Sequence, residues 1–409
     1  MNIIFLTMSR IFDIEERGIY QDLLRKFRES GHEVYIVAPR ERSLGLKTEL
    51  TVKNRVGILG VCTLNLQKTS IIEKGLGQVL VEGQYKRAIK KHLKGIHFDL
   101  ILYSTPPITF SKVISELKAS NPNAKSYLLL KDIFPQNAVD IGMMSKTGVK
   151  GLLYRFFRNK EKKLYEISDF IGCMSPANVE YVVKHNDFIS PEQVEVAPNS
   201  IELIQETDFS EERAKHASER SYIRHKYALP IEKPIFIYGG NLGRPQGIPF
   251  LIECLKANSE RDDCHFLIVG TGTELPRLME WYDRERPRNV TVMRGLPQAE
   301  YDELVRACDV GLIFLDHRFT IPNYPSRLLS YLEFKMPVIC ATDSNTDIGR
   351  IADSNGYGFW CESNDVDEFT RLLDQMIGAD RIAMGDAGYR YLKENYLVEN
   401  TYNTIIKHV

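Results

Sequence analysis

Residues 238–247 read Tyr-Gly-Gly-Asn-Leu-Gly-Arg-Pro-Gln-Gly, with four glycines in ten positions. The apolar run 234–238 precedes them and the amphipathic stretch 248–255 follows, an order that spells strand, tight loop and helix. A glycine-rich backbone can come close to a bound group, and the free N–H groups and positive dipole end of the next helix face the same spot, which suits a diphosphate. A tight βα connection with no ligand has the same spelling. A second candidate lies in the front half, where Tyr154-Arg-Phe-Phe-Arg-Asn-Lys160 interleaves aromatic and basic residues inside the basic segment 146–163. Such a face can rest on anionic lipid headgroups with its rings in the interface; a solvated helix face over a core is the other reading. The cluster Lys86, Arg87, Lys90, Lys91 and Lys94 reads as a solvated face.

These residues need a frame, and the chain is long enough for two or three domains. It has 409 residues, 43% hydrophobic and 10% aromatic, the composition of a soluble globular protein. No apolar run approaches the roughly 18 residues of a membrane span, and Met1 leads directly into the strand-like Ile3–Leu6 without a basic leader. A cytoplasmic location is therefore expected. Seven scattered cysteines with no C-x-x-C spacing indicate neither a zinc site nor a disulfide framework, and read as buried small hydrophobes. The net charge of −1 hides an asymmetry: residues 1–200 hold 29 Lys/Arg against 21 Asp/Glu, and residues 201–409 hold 24 against 33. Overall neutrality and the lack of a binding motif argue against nucleic acid.

Strand-like and helix-like segments alternate along the chain. Residues 3–7, 33–37, 57–64, 99–103 and 125–130 read as strands, with helices predicted over 19–28, 79–93 and 107–119. The pattern restarts with strands at 234–238, 264–269, 290–293, 310–314 and 337–341. The fold class is thus α/β, two doubly wound domains with parallel sheets facing a central cleft. The charged stretch 206–224, with little apolar periodicity, reads as the connection between them. The expected domains are 1–204 and 205–387, with a final amphipathic helix over 387–406 crossing back so that 388–409 joins the first.

In chain order the residues resemble a known family, the family-four retaining glycosyltransferases with the GT-B fold of two Rossmann-like domains. The resemblance runs from Met1 to about residue 405. Gly18 with Gly31-His-Glu-Val34 is similar to the family's first βαβ unit, Asp132-Ile-Phe-Pro135 to its Asp-x-aromatic-Pro element, and Ala197-Pro-Asn-Ser200 to its Pro-Asn-Gly segment. Gly239–Gly247 follows as the donor phosphate loop, then Ile268-Val-Gly-Thr-Gly272, Met293-Arg-Gly-Leu296 and Pro325-Ser-Arg-Leu-Leu-Ser-Tyr331 before Pro337-Val338. There are departures. The family's two glutamates are replaced by Pro322 and Ser330, with Glu333 one turn further on. Its loop Arg and Lys are replaced by Asn241 and Gln246, as in a subgroup typical of bacterial surface-polysaccharide assembly.

The resemblance implies a nucleoside-diphosphate donor in the second domain and an acceptor in the first. A departing β-phosphate must be met by donors already in place, for which the backbone of Gly240–Gly243, Arg244 and Arg327 are candidates. With such cations no metal or other cofactor is expected; Asp262-Asp263 reads as a solvated turn. Further donor-side candidates are Gly270, Gly272, Arg294 and Gly295 at strand ends, then Arg318 beside His317, Thr320, Asn323, Ser326 and Ser330. On the acceptor side stand Gly18, Asn199 and Asp132, where Asp132 is either a base for an acceptor hydroxyl or a turn residue.

The resulting expectation is a metal-independent, retaining transferase. It would move a sugar of N-acetylhexosamine type from a UDP-linked donor to a lipid-diphosphate-linked saccharide, at the inner face of the cytoplasmic membrane through 146–163. The product would serve capsule, O-antigen or exopolysaccharide assembly. A UDP-sugar 2-epimerase of the same fold and a non-catalytic sugar-nucleotide-binding subunit are the alternatives.

Overall fold

A computed structural model describes residues 1–65, 71–203 and 209–409. The chain divides into two compact units, one formed by 1–202 with 397–409 and the other by 203–396. Among its described residues the first unit has eight strands: β1 (Asn2–Leu6), β2 (Glu33–Glu41), β3 (Glu49–Lys53), β4 (Val56–Thr63), β5 (Leu100–Ser104), β6 (Lys125–Leu130), β7 (Phe170–Cys173) and β8 (Val194–Val196). Their order across the sheet is β3-β4-β2-β1-β5-β6-β7-β8, parallel except for the β3–β4 hairpin at one edge. Every residue of β5 is buried and only the first of β1 is not wholly so. That uninterrupted apolarity is what a sheet covered by helices on both faces requires. Strand β4 answers to the expected strand at 57–64, whereas its hairpin partner β3 and the short β7 and β8 are not anticipated by the sequence, because short or half-exposed strands carry little apolar signal.

Among its described residues the second unit has six parallel strands: β9 (Ile235–Asn241), β10 (His265–Thr271), β11 (Val290–Arg294), β12 (Val310–Phe314), β13 (Val338–Thr342) and β14 (Gly358–Glu362). The order β11-β10-β9-β12-β13-β14 reverses between β9 and β12, the doubly wound arrangement in which ligands bind at the carboxyl ends of the two central strands. Its core packs the helix Ile248–Ala257 through Leu251, Cys254 and Leu255 against Phe236, Phe266 and Phe314 of the sheet.

Two expectations are corrected. The stretch read as an inter-domain connection lies outside the described residues at 204–208, but from Phe209 to Lys226 it is a helix of the second unit. Its apparent lack of periodicity conceals an anchor. The Arg224 side chain is 1% exposed and donates to the carbonyls of Ala307, Pro230, Ile231 and Lys233 and to Asp309, which also accepts from the Ile235 N–H at the start of β9. The helix expected over 387–406 is two helices, Arg381–Asn395 in the second unit and Val398–Ile406 in the first. Only the latter returns, so 388–396 does not join the first unit. There, Ile405 is fully buried and the His408 ring stacks on Phe170 at 3.7 Å. Six of the seven cysteines are buried, Cys62 partly so, and all are free.

Candidate active site

At the point where the second sheet reverses, two loops meet. The Asp316 N–H, just past β12, donates to the Pro245 carbonyl of the glycine loop at 3.0 Å. Gly240 has φ +114°, a conformation that glycine adopts without strain. A Cβ at Gly270 would lie 2.0 Å from the Gly240 carbonyl, so β10 and the loop approach as closely as glycine allows. Gly272 likewise packs on the Leu242 backbone.

Arg327 opens the helix Arg327–Glu333 and lies against this loop, its guanidinium stacked 4.3 Å above the Tyr238 ring and close to Gly240. Burial pulls its pKa down, but the neighbouring Tyr238 and Tyr331 hydroxyls outweigh that and hold it above its usual value. It is therefore a permanent cation. Its Nη1 atom is buried with no hydrogen-bond partner, an arrangement that costs about 1–3 kcal/mol unless an acceptor arrives. Tyr331 fixes the strand beneath by accepting from the Gly239 N–H and donating to the Ile237 carbonyl, both at 3.2 Å.

The remaining donor-side candidates divide. Asn241 donates to Gln246 Oε1 at 2.9 Å, and Gln246 also accepts from the Gly243 N–H, so these side chains shape the loop themselves. The Leu242 N–H is taken by the Thr271 carbonyl. The expectation that all the amides of Gly240–Gly243 face a ligand is thus corrected: strand pairing and Gln246 occupy two of them. Arg244 is largely exposed and sits 3.7 Å from Glu274, turned toward that carboxylate. Arg318 makes a bidentate pair with Asp316, at 2.8 and 2.7 Å, which holds the Asp316 carboxyl below its usual range despite burial. Asn323 is engaged locally, its N–H to Thr346 Oγ1 and its amide to the Ile321 carbonyl. Thr320 is exposed, Arg294 and Gly295 stand at the open end of β11, Ser326 precedes the Arg327 helix and Ser330 is half-buried on it. Asp263 pairs with Arg261 in a solvated turn.

Residues 219–390 match the family model described as "Glycosyl transferases group 1". The second unit thus carries a group 1 glycosyltransferase domain. The probable glycosyltransferase WbjE of Pseudomonas aeruginosa is 23% identical over 343 residues, covering 80% of this chain and 78% of that one. The putative colanic acid biosynthesis glycosyl transferase WcaI of Escherichia coli (strain K12) is 23% identical over 254 residues, covering 61% of this chain and 58% of that one. Among solved structures, HepE of Anabaena in complex with UDP-glucose is similar in fold, with TM-score 0.68, 13% identity and coverage of 100% and 99%. The glycosyltransferase thus has the GT-B fold of two Rossmann-like units.

In its first unit the transferase places Asp132 just past β6, accepting from Asn137 Nδ2 at 2.6 Å. Burial pushes its pKa up to about 6, against the hydrogen bonds from Asn137 and the Ile133 N–H. It lines a pocket of about 200 Å³ with the residues 105–109 that follow β5, and with Phe134 and Phe157. Asn199 has a buried Oδ1 without a partner. Gly18 is placed otherwise: its N–H donates to Asp22, whose carboxylate also holds Arg25 and the Glu202 N–H. That makes Gly18 a fixed helix start.

Three residues escape sequence reasoning. Lys131, pushed down to about 7 by burial, donates to the Ala197 carbonyl at 3.1 Å and so ties the Asp132 loop to the segment carrying Asn199. Asp343, pushed up to about 6 by burial, holds Thr346, which in turn holds the Asn323 N–H. Tyr331 supports the glycine loop. Each lies at the end of an apolar run, where the sequence reads only the strand or helix.

Proposed function

We propose that the enzyme transfers a sugar, with retention of configuration and without a metal, from a UDP-linked donor of N-acetylhexosamine type to a lipid-diphosphate-linked saccharide in surface-polysaccharide assembly. The observation that carries the donor half is Arg327, a permanent cation with an unpartnered buried N–H donor beside a glycine loop at the sheet's reversal point. Its fork can meet two oxygens of the leaving diphosphate at once, where charge builds as the sugar departs. UDP as the carrier is supported by the UDP-glucose complex of HepE, and polysaccharide assembly by the similarity to WcaI, a putative colanic acid biosynthesis glycosyl transferase.

On the acceptor side, Asp132 would take the proton of an attacking hydroxyl, a reading supported by its pKa, which burial raises to about 6. Leu152 and Phe156 stand 65% and 46% exposed on the helix Gly148–Ile167, Leu153 and Met143 are similarly bare, and Lys146, Arg155 and Lys160 flank them. Charge and apolarity together fit an anionic lipid surface. Among the described residues no helix is long and apolar enough to cross a membrane.

Calorimetric titration with UDP, GDP, dTDP and CDP, without added metal, tests the donor reading. UDP should bind, and Arg327→Ala should weaken it at least about ten-fold. Equal binding by the variant, or no nucleotide binding at all, overturns the assignment.

A further inference from the structure

The pocket beside Asp132 has a composition that the transfer reaction alone does not demand. Its walls are Pro106, Pro107, Ile108, Phe134 and Phe157 together with Thr105 and Thr109, and the Asp132 carboxyl is set among them; the Thr105 hydroxyl is already engaged by the Lys131 and Asp132 backbone. Phe134 and Phe157 meet edge to face at 5.1 Å, closing one side. At about 200 Å³ it is smaller than the roughly 300–1,000 Å³ of a site for a whole ligand, so it receives part of one. The carboxyl's partners, the Asn137 amide and the Ile133 N–H, are neutral, which leaves it lone pairs for a further donor.

We propose that this pocket is a specificity subsite for an acceptor saccharide carrying a methyl-bearing substituent, N-acetyl or 6-deoxy, next to the hydroxyl held by Asp132. The inference rests on the glycosyltransferase reading and names the acceptor chemistry that reading leaves open. Asp132 takes the hydrogen of the saccharide hydroxyl. The methyl group enters between Pro107, Ile108 and the two phenylalanines, where it loses contact with water. A hydroxymethyl or free hydroxyl between Pro107, Ile108 and the two phenylalanines meets mainly carbon, and the Thr105 hydroxyl on the wall is already engaged by backbone groups, which disfavours a fully hydroxylated hexose. Discrimination of this kind is strong because the rejected group carries an unmet hydrogen bond into an apolar space.

The test uses the full chain with UDP present. Binding of four methyl glycosides is measured by ligand-observed NMR: N-acetylglucosamine against glucose, and 6-deoxygalactose against galactose. In at least one pair the methyl-bearing sugar should bind about four-fold or more tightly, and which pair responds identifies the substituent. Phe157→Ser and Ile108→Ser should each bring that ratio toward one while leaving UDP affinity unchanged, and an unaltered near-ultraviolet circular dichroism spectrum and thermal unfolding profile check that the first unit is folded in both. Equal binding within both pairs, a ratio unaltered in both folded variants, or no sugar binding by a protein that still binds UDP overturns the subsite. Loss of UDP binding by the unmutated chain would instead strike the donor assignment.

Discussion

Arg327 and Asp132 show how a side chain acquires a role from its surroundings. Both are legible in the sequence as residues of the right type near the right strand, yet neither the unpartnered Nη1 of one nor the apolar pocket of the other is visible there. If Arg327 meets the leaving diphosphate, Arg327→Lys should recover little of the turnover lost in Arg327→Ala, a loss on the order of 100-fold, because an ammonium cannot reproduce the fork. Steady-state assays on both variants check this. For Asp132, a carboxyl whose pKa is raised to about 6 binds its proton more tightly in the folded chain than in the unfolded one. It therefore favours folding at low pH and loses that contribution as pH rises from about 4 to about 6. Asp132→Asn should raise the melting temperature at pH 7.5, leave it nearly unchanged at pH 4, and remove the acidic limb of the pH–rate profile. An unaltered limb would show that another group carries the proton. By contrast Arg244, the most conspicuous cation of the loop by sequence, is turned to Glu274 through a spacing that only the folded loop sets.

At the scale of elements, the buried parallel strands are the most legible part. Strand β6 matches its expected bounds of 125–130, because continuous apolar runs admit few other readings. Helices dominated by charge are the least legible. The helix Phe209–Lys226 hides its structural role in one residue: Arg224→Met should destabilise the second unit by about 3 kcal/mol, since Asp309 loses its most buried partner. Denaturant unfolding measures this. On the helix Gly148–Ile167, Leu152→Glu and Phe156→Glu together should cut co-sedimentation with vesicles containing anionic lipid at least about ten-fold, as two apolar contacts are replaced by repelled charges. Exposed positions carry little folding energy, so thermal stability should be nearly untouched. Vesicle binding that survives would return the segment to the reading of a solvated face.

At the scale of the molecule, the second unit is one continuous stretch, whereas the first is completed only by residues 397–409. Their contribution is concrete: buried Ile405 and Thr401, the His408 ring on Phe170, and the Lys407 and His408 contacts to Glu195. Deleting residues 397–409 should lower the stability of the first unit while UDP binding by the second persists. A single cooperative loss of both would show that the units do not unfold separately. The division of one long expected helix into two follows from the same fact, because the turn at Tyr396 and Leu397 is where the chain leaves one unit's packing for the other's.

Strand identity, the doubly wound class and the glycine loop follow from the order of residues alone, since apolar runs and glycines act on their immediate neighbours. Which cation meets the loop and which carboxyl is desolvated belong to contacts between residues far apart in the chain. Arg327 stands above Tyr238 and Gly240, and Asp132 beside Pro107 and Phe157, only because the sheets bring loops from successive strands to one edge. Charge and burial at a site depend on distance in space, which the spacing of residues along the chain does not encode.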